Sequence, residues 1–585
     1  MKRKALTLIL ILAMLILSVA GTQFVNFSSA NFFPEQTPQG IRITSSGTVE
    51  GTDQIERSGN VYTLTGDIHR TIVVLRDGIV LDGAGYTLQG SGGGAGIFLQ
   101  ERNGVTIKNM KISNFEYGIK FTWLSYGSPA SPRSNKVTGN TITNNTYGIA
   151  FYDFSSGSEV SDNYIGRNTY GVASASNAVF RNNQFRNNDG AILESSYTVN
   201  DIDASNTVNG KPVYYWVGQH DRTVSSDAGW VVLKNCSGIT VQGLRLEGNG
   251  AGILLCYTNS STISGNVVAN NLNGITLQWS SNNVFSGNRV ANNKEYGVLL
   301  EYSAHYNLIS KNEIIANEKD GVYIDYSSNN AVTENHVTGN NGNGIFFKSI
   351  QDSNVTGNNI TLNNGCGIGF GSGPNGIIRE NYISTNGKGI WISNAFENTI
   401  TFNTITENNG WGIELEGSQK NNIIHHNNFI NNNVTEGLQV RIAGVWSFPG
   451  LNEPLLKPFN QTLTEPFNEP EPPKFVAGAA NVWDDGKEGN CWSDYTTRYP
   501  NASEIGNTGV GDTPYFINEN NEDRHPLMSP CEISNIDLPS TSPSQEPESE
   551  QEPESFPTTV VAVASGALVA LIGMCLLVYF KKRKR

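Results

Sequence analysis

Residues 266–300 read NVVANNLNGITLQWSSNNVFSGNRVANNKEYGVLL, and their phrasing returns through the middle of the chain. The glycine of a Gly-Ile/Val step stands at Gly274, Gly297, Gly321, Gly344, Gly367, Gly389 and Gly412, at intervals of 23, 24, 23, 23, 22 and 23 residues. So steady a period marks a solenoid, in which each repeat stacks on its neighbours. Function is then to be sought along an extended surface rather than in one central pocket.

A second mark is the Asn at Asn266, Asn288, Asn312, Asn335, Asn358, Asn381, Asn403 and Asn427. Apolar residues hold fixed offsets from these marks. Ile263, Phe285 and Ile309 precede the Asn by three, and Val268, Val290 and Ile314 follow it by two. Ile275, Val298 and Val322 follow the Gly by one, and Leu277, Leu300 and Ile324 by three. Each repeat thus carries four inward positions in three short runs of period two, mostly β-branched, as strands prefer. Three short strands joined by Asn and Gly turns make a triangular coil, and coils stack about 4.8 Å apart through parallel ladders. No run keeps the 3.6 spacing of a helix. A further Asn column, from Asn271 through Asn293, Asn317 and Asn340 to Asn408, reads as structural: stacked Asn side chains bond along the stack and tolerate left-handed turns.

Upstream the pattern continues irregularly through Gly96, Gly118, Gly148, Gly171 and Gly252. The wide gap before Gly148 implies a loop around Tyr126-Gly127-Ser128-Pro129, and the gap from Gly190 to Gly252 an insertion at about 194–235. Long insertions in solenoids tend to lie on the working face. The marks predict about thirteen to fifteen coils, on the order of 65 Å of stack. Raw ends of such a stack would aggregate, so residues 31–66 are expected to cover the first coil and residues 438–530 the last, with the coils at 67–437.

Both termini carry membrane signals. Lys2, Arg3 and Lys4 precede an apolar run to Ala20, with cleavage after Ala20 or Ala30; residues 1–30 read as a signal peptide, or as an uncleaved anchor. Residues 531–557 read as a Ser/Pro/Glu-rich stalk. Residues 558–580 read as a single transmembrane helix, and the basic tail at 581–585 should stay cytoplasmic. A removable sorting tail is the alternative. The expected location is the cell membrane, single-pass, with the body outside. The formal charge of −14 argues against nucleic acid as a partner. Cys491 and Cys531 flank a compact segment and are candidates for a disulfide, or are isolated buried thiols.

The N-x-I-x-x-N-x-x-G-I-x-L grammar resembles the right-handed parallel β-helix of the NosD-type and CASH (carbohydrate-binding and sugar-hydrolase) families. Residues 78–86 resemble the family's first-coil segment. Val482-Trp483-Asp484-Asp485-Gly486 and Gly489-Asn490-Cys491-Trp492-Ser493-Asp494-Tyr495 resemble its C-terminal module, known best in archaeal surface proteins. The resemblance implies an all-β parallel β-helix with three strands per coil, a C-terminal capping module and, in NosD-type members, copper. Copper needs clustered His, Met or Cys. Here there are seven His and five Met, and only His425 and His426 adjoin, which in a strand would face opposite ways. Calcium needs six or more oxygens, and no D-x-D-x-D loop is present. No cofactor is therefore expected, calcium remaining open.

One outward column suggests chemistry. Five residues after the repeat Gly stand Trp123, Tyr257, Trp279, Tyr302 and Tyr326, and one residue earlier Gln278, Glu301 and Asp325. Aromatic faces stack on sugar rings while carboxylates and amides hold hydroxyls, so this column is the candidate site for a glycan or cell-surface polymer. The plainer reading is that these rings cover a turn beneath the insertion. Glu301 and Asp325 occupy equivalent places on adjacent coils and are the candidate acids for a polysaccharide lyase, epimerase or hydrolase. Stacking puts any repeated acid at that spacing, and Lys348, one coil on, is the nearest base. A passive surface or adhesion scaffold is the third reading.

Overall fold

The computed structural model describes residues 40–122, 134–152, 156–194, 197–349, 351–417, 419–433, 439–443, 445–447, 474–476 and 480–532. The expected signal peptide, the stalk beyond residue 532, the transmembrane helix and the basic tail lie outside the described residues, as do Trp123 and the loop at 126–129.

The chain winds as an all-β right-handed β-helix of about 16 turns. One sheet collects the strands that follow each repeat Gly: Asn273–Gln278, Val298–Glu301, Val322–Ile324, Ile345–Phe347, Cys366–Phe370, Lys388–Ser393 and Ile413–Glu416. Its ladder is parallel and in register, pairing Ile275 with Val298 and Val298 with Val322. Two further parallel sheets carry the other inward columns, Ile263–Phe285–Ile309 and Val268–Val290–Ile314. All these side chains are fully buried in one continuous core. Regular burial of β-branched residues every second position is what holds each coil closed.

The turns are held by Asn. From Asn266 through Asn288, Asn312, Asn335, Asn358, Asn381, Asn403 and Asn427, each backbone N–H donates to the next Asn Oδ1 at 2.9–3.0 Å. Each side-chain amide also donates to that oxygen and to a backbone carbonyl of the previous coil, as Asn312 Nδ2 does to Phe285 O at 3.0 Å. In this column the left-handed residue is the one before the Asn: Lys311, Glu334, Glu380, Phe402 and His426 all have φ near 55°. In the Asn271–Asn408 column, where the Asn itself was expected to take that turn, it is likewise the preceding residue, as at Asn270, Asn292 and Ala316. The turn residue points out while the Asn points in and bonds vertically.

The structure has more turns than the thirteen to fifteen expected, because two stretches without the repeat mark also wind. Ile41–Ile43 pairs parallel with Ile72–Val74, and Asp201–Ile202 and Thr207–Val208 add to the sheets below them. At the N-terminal end Val49–Glu50 pairs antiparallel with Ile41–Ile43, and Ile55–Ser58 with Val61–Leu64, and these hairpins close the raw edge. At the other end Trp492 stacks on Phe429 (centroids 4.6 Å) and on Tyr515 (4.2 Å), and Asn490 takes over the Asn ladder from Asn427.

The expected insertion is a junction. An Asn209-Gly210 hairpin turns Thr207–Val208 back into Lys211–Val217, which pairs parallel with Trp230–Lys234. Trp230–Lys234 and Ala251–Cys256 are buried on both faces: Val231, Leu233, Ile253 and Leu255 enter one core, while Trp230, Val232 and Leu254 enter the other. Within this junction Lys234 Nζ bonds Glu194 Oε2 at 2.8 Å with both side chains almost wholly buried.

Candidate functional site

Outward residues of the Gly-step sheet and its following turn form the candidate site. Ile275 and Leu277 point inward, so Thr276 and Gln278 point out, and the same alternation places Leu299, Glu301, Tyr323 and Asp325 on the outer face. Directly after this strand the chain makes a left-handed turn. Its residue is Tyr257 (φ 52°), Trp279 (55°), Tyr302 (55°) and Tyr326 (46°) on four successive coils. Elsewhere in this turn column stand Asn235, Asn394 and Gly417, which suit that conformation, and Glu101, which holds it at φ 56° without that advantage.

The structure brings Tyr257, Trp279 and Tyr302 into one file. Ring centroids are 5.9 Å apart for the first pair and 5.8 Å for the second, with planes 4° and 15° apart. Tyr326 follows one coil on, 61% exposed. The rings therefore stack along the solenoid axis on one another. Their inner faces, which the sequence reading offered to sugar rings, are occupied by neighbours, and the strip presents outer edges.

Gln278, Glu301 and Asp325 run beside the file. Gln278 Nε2 donates to Glu301 Oε2 at 3.4 Å. Asp325, 8% exposed, receives Lys348 Nζ on Oδ2 at 3.1 Å. Burial pushes the Glu301 carboxyl above the ordinary carboxylate range, and the Asp325 charge adds to that, while Gln278 opposes it. Asp320, just before Gly321, is pushed up to about 6 by burial, against hydrogen bonds from the Asn343 backbone and side-chain amides. The neighbouring Glu301 charge, then burial, raises the Tyr302 phenol, and Tyr197 of the junction also lies close enough to raise it.

A second aromatic file on the same face was missed. Tyr296 and Tyr323 lie 4.8 Å apart, Tyr323 and Phe346 5.8 Å, and Phe346 and Trp391 6.0 Å. Tyr323, Phe346 and Trp391 stand two residues after their Gly, a recurrence visible in the sequence. Around this file are the ion pairs Lys319–Glu295 at 3.0 Å and Lys388 and Arg441 on the fully buried Glu414. The N-terminal half repeats the device with Tyr117, Tyr147 and Tyr170, stacked 5.0 and 4.9 Å apart.

Two further expectations are corrected. Cys491 and Cys531 are free thiols, brought into one cluster with Val510 and Leu527 rather than bridged. His425 and His426 do not face apart: their Nδ1 atoms meet, because His426 occupies the left-handed turn (φ 55°) where strand alternation ends.

The family described as "Periplasmic copper-binding protein (NosD)" matches residues 217–354. The donor set does not fit copper. His426 turns Nδ1 to His425 and Nε2 to Glu488, so the three do not converge on one point, and among the described residues no group of three or more His, Cys, Asp or Glu is placed to hold an ion. No curated protein matches the chain.

Solved structures similar in fold include the periplasmic alginate epimerase AlgG (15% identity, 63% of this chain and 80% of that one, TM-score 0.23). Others are the mannuronan C-5 epimerase AlgE4 A-module of Azotobacter vinelandii (14%, 64% and 88%, TM-score 0.31) and the Dettilon tailspike protein (13%, 64% and 62%, TM-score 0.23). At these identities the likeness is one of fold alone. The family described as "Right handed beta helix region" matches residues 68–228 and 309–448, together just over half of the chain, and the chain belongs to the right-handed β-helix family.

Proposed function

We propose that the outer face of the Gly-step sheet binds an extended carbohydrate polymer lying along the solenoid axis. The carrying observation is the left-handed turn column. On four coils in a row it seats an aromatic residue where Asn or Gly would be easier by roughly 1 kcal/mol or more per residue. The backbone gains nothing from these residues; the surface gains an apolar strip flanked by Gln278 and Glu301. Such a strip offers apolar surface for a sugar ring to cover, and the flanking amide and carboxylate take hydroxyls.

A glycan array probed with the full chain tests this. Trp279→Ala with Tyr302→Ala should lower binding at least about tenfold, the loss of two aromatic contacts. Unchanged binding, or none to any glycan in the unaltered chain, overturns the reading in favour of a passive scaffold.

A second reading is catalysis on such a polymer, as a lyase, epimerase or hydrolase. It is favoured by Glu301, whose proton affinity is raised, next to Asp325 held by Lys348. Product analysis with Glu301→Gln and Asp325→Asn decides it: activity in the unaltered chain alone establishes it.

The proposal extends to location. Val560 to Phe580 is uncharged for 21 residues and is followed by Lys581-Lys582-Arg583-Lys584-Arg585, which supports a single-pass anchor with the solenoid outside. Release of the full chain from membranes by alkaline carbonate would overturn that.

A further inference from the structure

The acidic strip beside the aromatic file has a chemical preference of its own. Glu301 is half-buried, and among the described residues no Lys or Arg bonds it; its hydrogen bond is from the neutral Gln278. Lys348 is bonded to Asp325 Oδ2, leaving Asp325 Oδ1 with no protein partner although that atom is buried. Thr276 Oγ1, on a residue 5% exposed and two positions from Gln278 on the same face, also lacks a protein partner, and so does Trp279 Nε1. Native proteins rarely leave buried polar atoms unsatisfied, and these three lie on the coils directly before and after that of Glu301, which points to a ligand whose polar groups complete the bonding.

The sign of the charge selects the class. Glu301 and Asp325 occupy consecutive places in one column, and Lys348 bonds Asp325 while reaching Glu301 by its charge alone. A uronic acid brought here would meet two carboxylates against the single ammonium of Lys348, and like charges brought together suppress the wrong partner. A neutral sugar would leave Glu301 unpaired. We infer that this site takes a polymer of amino sugars bearing free ammonium groups, with the ammonium on Glu301 and the sugar against the edges of Trp279 and Tyr302. The inference rests on the carbohydrate reading above and narrows it.

The test compares three oligosaccharides of equal length on the full chain by calorimetry: oligoglucosamine, its fully N-acetylated form and an oligouronate. Oligoglucosamine should bind at least about tenfold tighter than the acetylated form, the scale of one charge-assisted hydrogen bond, and the uronate more weakly than either. Glu301→Gln, isosteric and uncharged, should erase the preference for the amine, so that the amine and acetylated oligomers bind alike. Equal binding of amine and acetyl forms, or a preference surviving in Glu301→Gln, overturns the inference but leaves the carbohydrate reading standing. No binding of any of the three, in an assay where the array is also negative, overturns both. A calcium-induced rise in melting temperature that disappears in Glu301→Gln and occurs without oligosaccharide assigns the carboxylates to a cation instead, and also overturns it.

Discussion

Phe346 and Trp391 stack on each other across an intervening coil. Their ring centroids are 6.0 Å apart with planes at 18°, although the strand between them places Gly369 in the same column. The two rings lean into the space a side chain would fill. A Cβ on Gly369 would sit 2.6 Å from the Phe346 ring. This glycine is present for room rather than for backbone freedom, and it keeps the second aromatic file continuous.

Gly369→Val should therefore push Phe346 aside and break the file. The cost is that of overpacking, about 1–3 kcal/mol. Urea unfolding gives the stability change, and near-UV circular dichroism should show the loss of ring coupling. A variant as stable as the parent, with an unaltered near-UV spectrum, would show that the rings are not stacked across this position.

The Asn ladder should be costly to interrupt. Asn312→Ala removes the acceptor of the Asn288 N–H, 2.9 Å away, and the donor to Phe285 O, both buried. With each unsatisfied buried group costing about 1–3 kcal/mol, the variant should lose about 3–5 kcal/mol in urea unfolding. A loss under about 1 kcal/mol would mean the ladder contributes only geometry.

At the turn column the usual order of glycine and alanine should reverse. Tyr302 has φ 55°, so Tyr302→Gly relieves a strained backbone that Tyr302→Ala keeps. The glycine variant should be the more stable by about 1 kcal/mol, while both lose the same glycan binding. Alanine proving the more stable would remove the argument that the aromatic residues are held there against backbone preference.

The pH dependence has a definite sign. Burial pushes Asp523 up to about 6, well above the ordinary carboxylate range, despite hydrogen bonds from the Asn490 backbone N–H and Trp492 Nε1. The native state then holds its proton more tightly than the unfolded chain. Its contribution is fully present below about pH 4 and is lost as pH rises towards 6, at no more than about 1.4 kcal/mol per pH unit. Asp523→Asn should flatten the stability profile in that window relative to the parent. Asp320, also raised to about 6, adds a loss of the same sign. A parent whose stability advantage over Asp523→Asn grows from pH 4 to 6 would contradict the assignment.

Much of this was legible in the chain. The interval of the Gly step fixed the coil, and the offsets of Ile275, Val298 and Val322 fixed which side chains meet, because a period-two strand in a parallel stack has one register that buries them. The turn file of Tyr257, Trp279 and Tyr302 was legible for the same reason. The direction of its rings was not, since torsions about the side chain leave no trace in spacing. His425 and His426 were misread because alternation holds only within a strand, and one of them lies in the turn.

Sequence alone determined the repeat, the inward columns and the vertical neighbours, since these follow from backbone geometry applied to a regular pattern. Only the tertiary structure decided how the stretch from 197 to 235 joins two cores, that Lys348 bonds Asp325 rather than Glu301, and that Phe346 meets Trp391 over Gly369. Those depend on long side chains and an irregular junction, where distance along the chain no longer sets distance in space.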